Sequence, residues 1–304
     1  LVGSEMCIRD RNWDSITNCY WLSGTAGEGI GSGGGEATKK NAEDYATGEV
    51  AWLLNGSSTN GPWRQNLTGT NIDKSPTLDP THGVVGFSNG AYHNCTYDVN
   101  GFCTCGSYEA ATQDDAGTYQ ISNAGQLYWF AELVNGGQTT ACAVLTTDIT
   151  INSNVLGDNG ALNGDGSNFT QWTPIGDVNN KYIGTFDGQG HTISGLYINS
   201  DAKYVGLFGR IGTNGTVKNL ALADSYINSS SKYSYVGGIC GVNDDGSITS
   251  CSNNGDVTGS GDSSTVGGIC GWNGGRIENC SNSGAVGGGS YVGGICGQNW
   301  DSIT

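Results

Sequence analysis

Methionine, proline and positive charge are scarce in this 304-residue chain: it has one Met, four Pro, and 12 Lys and Arg against 28 Asp and Glu. A net charge of −16 argues against nucleic acid or an anionic membrane as a partner, because either needs a cationic face, and neither is expected. No run of 18 apolar residues occurs, so no membrane insertion is expected either. The three histidines are His82, His93 and His191, and the HExxH signature of zinc peptidases is missing. The GxSxG elbow is also missing, and the Gly-rich GSGGG lacks the Lys-Ser/Thr of a phosphate loop. Asp148, Asp165, Asp177 and Asp187 fall in different turns, and Arg210 and Lys218 stand alone. A polysaccharide lyase would instead cluster its carboxylates around a basic residue. His191 and Asp187 are close enough for an acid–base pair, although a turn Asp and a strand His more often serve structure. No catalytic residue is expected.

Glycine is abundant, at 53 residues, without the G-X-Y period of collagen. The phrase VGGICG occurs at 236–241, 266–271 and 292–297, and a looser one follows it, SITSCSNNGDV at 247–257 and RIENCSNSGAV at 276–286. A period of this size describes stacked units, each burying its apolar side against its neighbours. No 3.6-residue apolar stripe runs through the units, whereas short Val/Ile phrases divided by Gly, Asn and Asp read as strands and turns. VGGICG, SITSC and a third short piece (256–258, 285–287) give three strands per period. The expected fold class is all-β: a right-handed parallel β-helix (solenoid) with an N-terminal capping α-helix, preceded by a small mixed α/β tail module. The repeat cysteines Cys240, Cys270 and Cys296, with Cys251 and Cys280, should form inward, reduced ladders; a 240–251 bridge within each coil is the rival.

Together with YVGLFG at 204–209 and FDGQGHTISGL at 186–196, these phrases resemble the GLUG-type repeat of bacterial surface proteins, over roughly 120–304. That repeat is found in adhesin-like proteins and in the non-catalytic region of some immunoglobulin-cleaving metallopeptidases. The resemblance implies a non-catalytic, adhesive or display role outside a bacterial cell or on its surface. The implied partner is a host or cell-surface glycan or protein ligand. A β-helical lyase or hydrolase, or the stalk of a surface metallopeptidase, is the alternative.

Four segments are expected along the chain. Residues 1–11 resemble the translation of a sequencing-library adapter and are set aside from the fold, together with Cys7. Residues 12–88 read as the end of a preceding repeat array, with a Gly-rich linker at 24–35 and a helix from Thr38 to Asn55 that Gly48 could break in two. NWDSIT occurs at both 12–17 and 299–304, which aligns Cys19 with the repeat cysteines. Both ends therefore read as cuts through a repeat, and the chain as a fragment.

Residues 89–118 read as a Cys/His connector, in which His93, Cys95, Cys103 and Cys105 surround a turn at Asn100-Gly101. One imidazole and three thiolates suit tetrahedral zinc, although C-x-C and H-x-C are tighter than the usual C-x-x-C. A disulfide from Cys95 to Cys103 or Cys105 is the rival. Residues 119–304 read as the capped β-helix. Its first element, ISNAGQLYWFAELVNGG, has Leu127, Phe130, Ala131 and Val134 on one helical face, with Asn123 and Gln126 placed for a capping box. A lid over the first coil is expected of it, rather than an aromatic ligand platform. GDNGALNGDGSN (157–168) lacks the spacing of a calcium loop and reads as a turn-rich insertion.

Overall fold

The computed structural model describes residues 19–25 and 37–304. The adapter-like segment, the first NWDSIT and most of the Gly-rich linker lie outside the described residues. The chain divides into two compact units between Tyr108 and Glu109.

In the first unit, Cys19–Leu22 pairs in parallel with Ala37–Lys40. Two short helices follow, α1 (Ala42–Ala46) and α2 (Glu49–Leu54). The single helix capped by Thr38 is therefore not formed: Thr38 is in a strand, and Asn41 caps α1 in a reciprocal box with Asp44. The break falls at Gly48, whose φ of 94° is left-handed, and a Cβ there would lie 2.8 Å from a Leu67 methyl. An antiparallel hairpin, Val85–Ser88 with Ala91–Asn94, turns at Asn89-Gly90. The core is thin: among the described residues before Glu109, the buried hydrophobic side chains are Val50, Ala51, Val85 and Cys103.

The second unit is a parallel β-helix. Each coil runs through four sheets. Sheet A stacks Thr185–Asp187 and Thr192–Ser194 on Thr216–Ala223, then Ser247–Asn253, then Arg276–Glu278. Sheet B stacks Tyr197–Ser200, Tyr226–Ser229, Asp256–Gly259 and Val286–Gly288. Sheet C stacks Tyr204–Val205, Tyr235–Gly237, Thr265–Gly267 and Tyr291–Gly293. Sheet D stacks Phe208–Ile211, Cys240–Asn243, Cys270–Asn273 and Cys296–Asn299. All pairings between these coils are parallel, and many join like residues, such as Cys240 with Cys270 and Cys270 with Cys296.

The expected three strands per coil are thus four, because VGGICG bends in its middle. A Cβ on Gly237 would lie 2.2 Å from the Cys240 carbonyl oxygen, so only glycine fits the corner. The bend turns Val236, Ile239 and Cys240 all inward, each fully buried, where strict alternation would have put Ile239 outside. A second device explains the spacing I-x-x-C. Asn219, Ser250 and Asn279 occupy equivalent positions in sheet A, each with φ between 51° and 53°. One left-handed residue inserted into an extended strand lets two residues three apart point the same way, as in a bulge. Val217 and Leu220, then Ile248 and Cys251, are accordingly buried together.

The corner between sheets C and D is two residues long in every coil (206–207, 238–239, 268–269, 294–295). The corner between sheets B and C varies, spanning 201–203, 230–234, 260–264 and 289–290.

The lid helix α3 spans Ala124–Asn135. Asn123 accepts from the Gln126 N–H at 2.9 Å, and the Gln126 side-chain oxygen accepts from the Ser122 N–H at 2.8 Å, one residue beyond the N-cap N–H of a strict capping box. Leu127, Phe130, Ala131 and Val134 are buried. The Phe130 ring lies 6.2 Å from Tyr182 and 5.9 Å from Phe186, and Phe186 in turn lies 5.5 Å from Phe208 in the first coil. The helix therefore closes the open end of the apolar interior. Tyr128 is buried beside Trp172 at 4.9 Å, so the aromatic residues form no exposed platform.

Candidate metal centre and tyrosine recess

The Cys/His residues converge. His93 and Cys95 leave the hairpin's second strand, while Cys103 and Cys105 flank a tight turn in which the Cys103 N–H donates to the Ser107 carbonyl at 2.9 Å. One ligand atom from each of the four residues falls within 4.8 Å of the others. Cys95 Sγ lies 3.6 Å from Cys105 Sγ, and Cys103 Sγ lies 3.5 Å from His93 Nε2. The Ser107 hydroxyl reaches both Cys105 at 2.9 Å and Cys95 at 3.4 Å. Burial raises the Cys95 thiol to about 12. Burial also acts against the Cys103 thiolate, but the Cys105 backbone N–H, His93 and the neighbouring thiols outweigh it and hold Cys103 at about 6. The four residues are not joined by disulfides.

The repeat cysteines are also unbridged. Cys240 and Cys270 are fully buried in sheet D, and Cys251 is buried in sheet A; Cys280 and Cys296, towards the last coil, are half-buried. Each sheet D thiol donates to the carbonyl two residues on: Cys240 to Val242 at 3.0 Å, Cys270 to Trp272 at 3.1 Å, Cys296 to Gln298 at 3.0 Å. A small apolar residue with one weak donor suits that place. Burial raises the Cys270 thiol well above its ordinary range. A thiol reagent should therefore modify Cys240 and Cys270 slowly in the folded protein and rapidly after denaturation. Equal rates in the two states would contradict the buried ladder.

Outside the β-helix, the in-register residues of sheet C form a row. The Tyr204 and Tyr235 rings stack at 5.9 Å with an interplanar angle of 7°, followed by Thr265 and Tyr291. Beside them lies a recess of about 330 Å³ lined by Tyr233, Tyr235, Ser263, Thr265, Ser290, Tyr291 and Gln298. Tyr233 and Tyr291 are 57% and 54% exposed. A composite of strand positions and corner loops from three coils is invisible to a reading that takes one repeat at a time.

The remaining candidates do not meet. His191 Nδ1 pairs with Asp148 at 3.2 Å rather than with Asp187. Asp187 instead binds Lys218 at 3.2 Å and the Asn219 amide at 3.0 Å. Asp165 holds the Ser167 hydroxyl, and Asp177 accepts from the Asn179 and Asn180 N–H groups. Arg210 and Lys181 both bind Asp244. Each carboxylate closes its own turn or ion pair, which disperses the charge that a lyase would concentrate.

Missed altogether by sequence reasoning are the asparagine ladders. Asn243 donates to Asn273 at 2.7 Å, and Asn273 to Asn299 at 2.7 Å. A second ladder runs from Asn253 to Asn282 at 2.9 Å. The signal was present as C-G-x-N and C-S-N at fixed places after each repeat cysteine.

Fold and site together define a β-helical repeat protein. Two of its coils are of the GLUG type: the family described as the GLUG motif matches residues 232–258 and 262–287, in the middle of the array. Among similar proteins, one from Evansella cellulosilytica, provisionally named a Gly-rich membrane protein, is 45% identical over 73 residues, 24% of this chain and 8% of that one. Halomucin of Haloquadratum walsbyi is 34% identical over 108 residues, covering 35% of this chain and 1% of its own length. The chain thus spans only a small part of either relative. A crystal structure from Bacteroides ovatus, provisionally named an immunoglobulin A1 protease, is similar at 22% identity and a TM-score of 0.47, over 68% of this chain and 69% of that one. Among the described residues of this chain, no helix is long and apolar enough to cross a membrane.

Proposed function

We propose that the chain is a non-catalytic repeat region displayed on a bacterial surface or secreted, and that its β-helix is an adhesion module for a neutral saccharide. The observation that carries this reading is the tyrosine recess. Its lining combines the apolar faces of Tyr233, Tyr235 and Tyr291 with the hydroxyls of Ser263, Thr265 and Ser290 and the Gln298 amide. Aromatic rings offer broad apolar contact with a polar tip, and a few fixed hydrogen-bonding groups orient a ligand on them. The lining residues themselves include no ionisable acid or base apart from the tyrosine hydroxyls. The cations beside them, Lys232 at 5.1 Å from the Tyr233 ring and Lys203 at 5.9 Å from the Tyr235 ring, lie against ring faces, so the polar groups of the lining favour an uncharged sugar. The similarity to a protein named as a Gly-rich membrane protein supports a place at the cell envelope.

The test is binding of the full chain to an array of neutral and acidic glycans. Neutral oligosaccharides should be retained, and Tyr233→Ser combined with Tyr291→Ser should weaken binding at least tenfold, the loss of about 1.4 kcal/mol. Both rings are more than half exposed, so the thermal midpoint should stay put. Undiminished binding by the double variant, or a preference for acidic glycans, would overturn the reading.

A further inference from the structure

We propose that His93, Cys95, Cys103 and Cys105 hold one zinc ion in a closed structural site that staples the first unit. The donor set is one imidazole and three thiolates, the composition of a Cys3His structural centre. Zinc bonds of about 2.3 Å to sulfur and about 2.0–2.1 Å to nitrogen, in a tetrahedron, separate ligand atoms by roughly 3.5–3.8 Å. The separations of 3.6 Å between Cys95 and Cys105 sulfurs and 3.5 Å between Cys103 and His93 match those edges. All four ligand atoms fall within 4.8 Å of one another, so closing the shell needs only small rotations. A disulfide would need a sulfur separation of about 2.05 Å, and would engage two of the four donors while leaving the others without a shared role.

The backbone around the donors is shaped for the cluster. Gly86 sits opposite His93 in the hairpin. A Cβ at Gly86 would lie 2.8 Å from both the Cys95 and Cys105 sulfurs and 3.2 Å from His93 Nε2. Any larger residue would fill the space that the cluster occupies. The Ser107 hydroxyl stands behind two of the sulfurs, within reach of both and able to donate its one proton to either, the kind of outer-shell contact that orients metal ligands.

The unit also has a need for the ion. Val50, Ala51, Val85 and Cys103 make up the buried hydrophobic set among its described residues, too small a core to hold several short elements together unaided. A metal that binds the folded but not the unfolded chain adds its binding free energy to folding. The close spacing of C-x-C and H-x-C does not prevent a tetrahedral shell here, since one ligand atom from each of the four residues falls within 4.8 Å of the others. Within each pair the residues are close, but the two pairs come from a strand end and a separate turn that face each other.

The experiment is metal analysis of the full chain purified under reducing conditions in zinc-supplemented medium. About one zinc per chain is expected, retained by a Cys142→Ser control and lost from Cys103→Ser and His93→Ala. Removal by a chelator should deprotect the amides of residues 85–108 to hydrogen exchange, leaving the β-helix protected. If the variants fail to fold, cobalt(II) titration of the unaltered chain decides instead: intense tetrahedral absorption saturating at one equivalent supports the site. Zinc no higher than in Cys103→Ser, weak octahedral cobalt absorption, or a bridge from Cys95 to Cys103 or Cys105 in unreduced peptides would each overturn it.

Discussion

Phe130→Ala should destabilise the β-helix unit by about 3–5 kcal/mol, the range for truncating a fully buried phenylalanine. Phe130 has no exposed surface, and its ring touches Tyr119, Tyr182 and Phe186. These neighbours belong to the first coil and its approach, so they cannot collapse into the void without disturbing sheet A. The lid also shields the apolar interior from water at that end, and its loosening should expose Phe186 and Phe208. Denaturant unfolding would show a lower midpoint at an unchanged slope. An unmoved midpoint would mean that α3 does not close the coil.

Asn273→Ala comes next in expected effect, at about 2–5 kcal/mol, because it leaves several buried polar groups unpaired at about 1–3 kcal/mol each. The Asn273 amide donates to the Gly275 carbonyl at 2.6 Å and to Asn299, and its oxygen accepts from Asn243 and from the Gly275 N–H. Asn243, which would lose a partner, is itself fully buried. The comparison variant is Asn299→Ala, at the exposed end of the same ladder. It should have a markedly smaller effect, since water can replace its partners. Equal midpoints for the two variants would show that the ladder contributes nothing beyond its turn.

Much of this architecture was legible from residues alone, for a physical reason. A coil that stacks on its neighbour must repeat its inward residues, so VGGICG and I-x-x-C announce the solenoid directly. The lid was legible because its apolar spacing is helical and lies just ahead of the first strand. Other features depend on relations between coils. Amide stacking joins residues 26 to 30 positions apart, as in Asn273 with Asn299 and Asn243 with Asn273, and within one repeat each Asn looks like an ordinary turn residue. The fourth strand was missed because Gly-Gly fits an extended run and a corner equally well, and only the close approach of the Cys240 carbonyl separates them. For the Cys/His residues the composition pointed to a metal or a disulfide, but spacing could not show that the strand end and the turn face one another.

The unequal corners between sheets B and C have an evolutionary consequence. Insertions and deletions there, from two residues at 289–290 to five at 260–264, leave the Val, Ile and Cys rungs in register. Those same corners carry Tyr233, Ser263 and Ser290 of the recess. Duplicating a coil and then editing only its corner would thus yield a differently shaped contact surface on an unchanged frame. An array of this kind can diversify one coil at a time, much as a ratchet advances by single teeth.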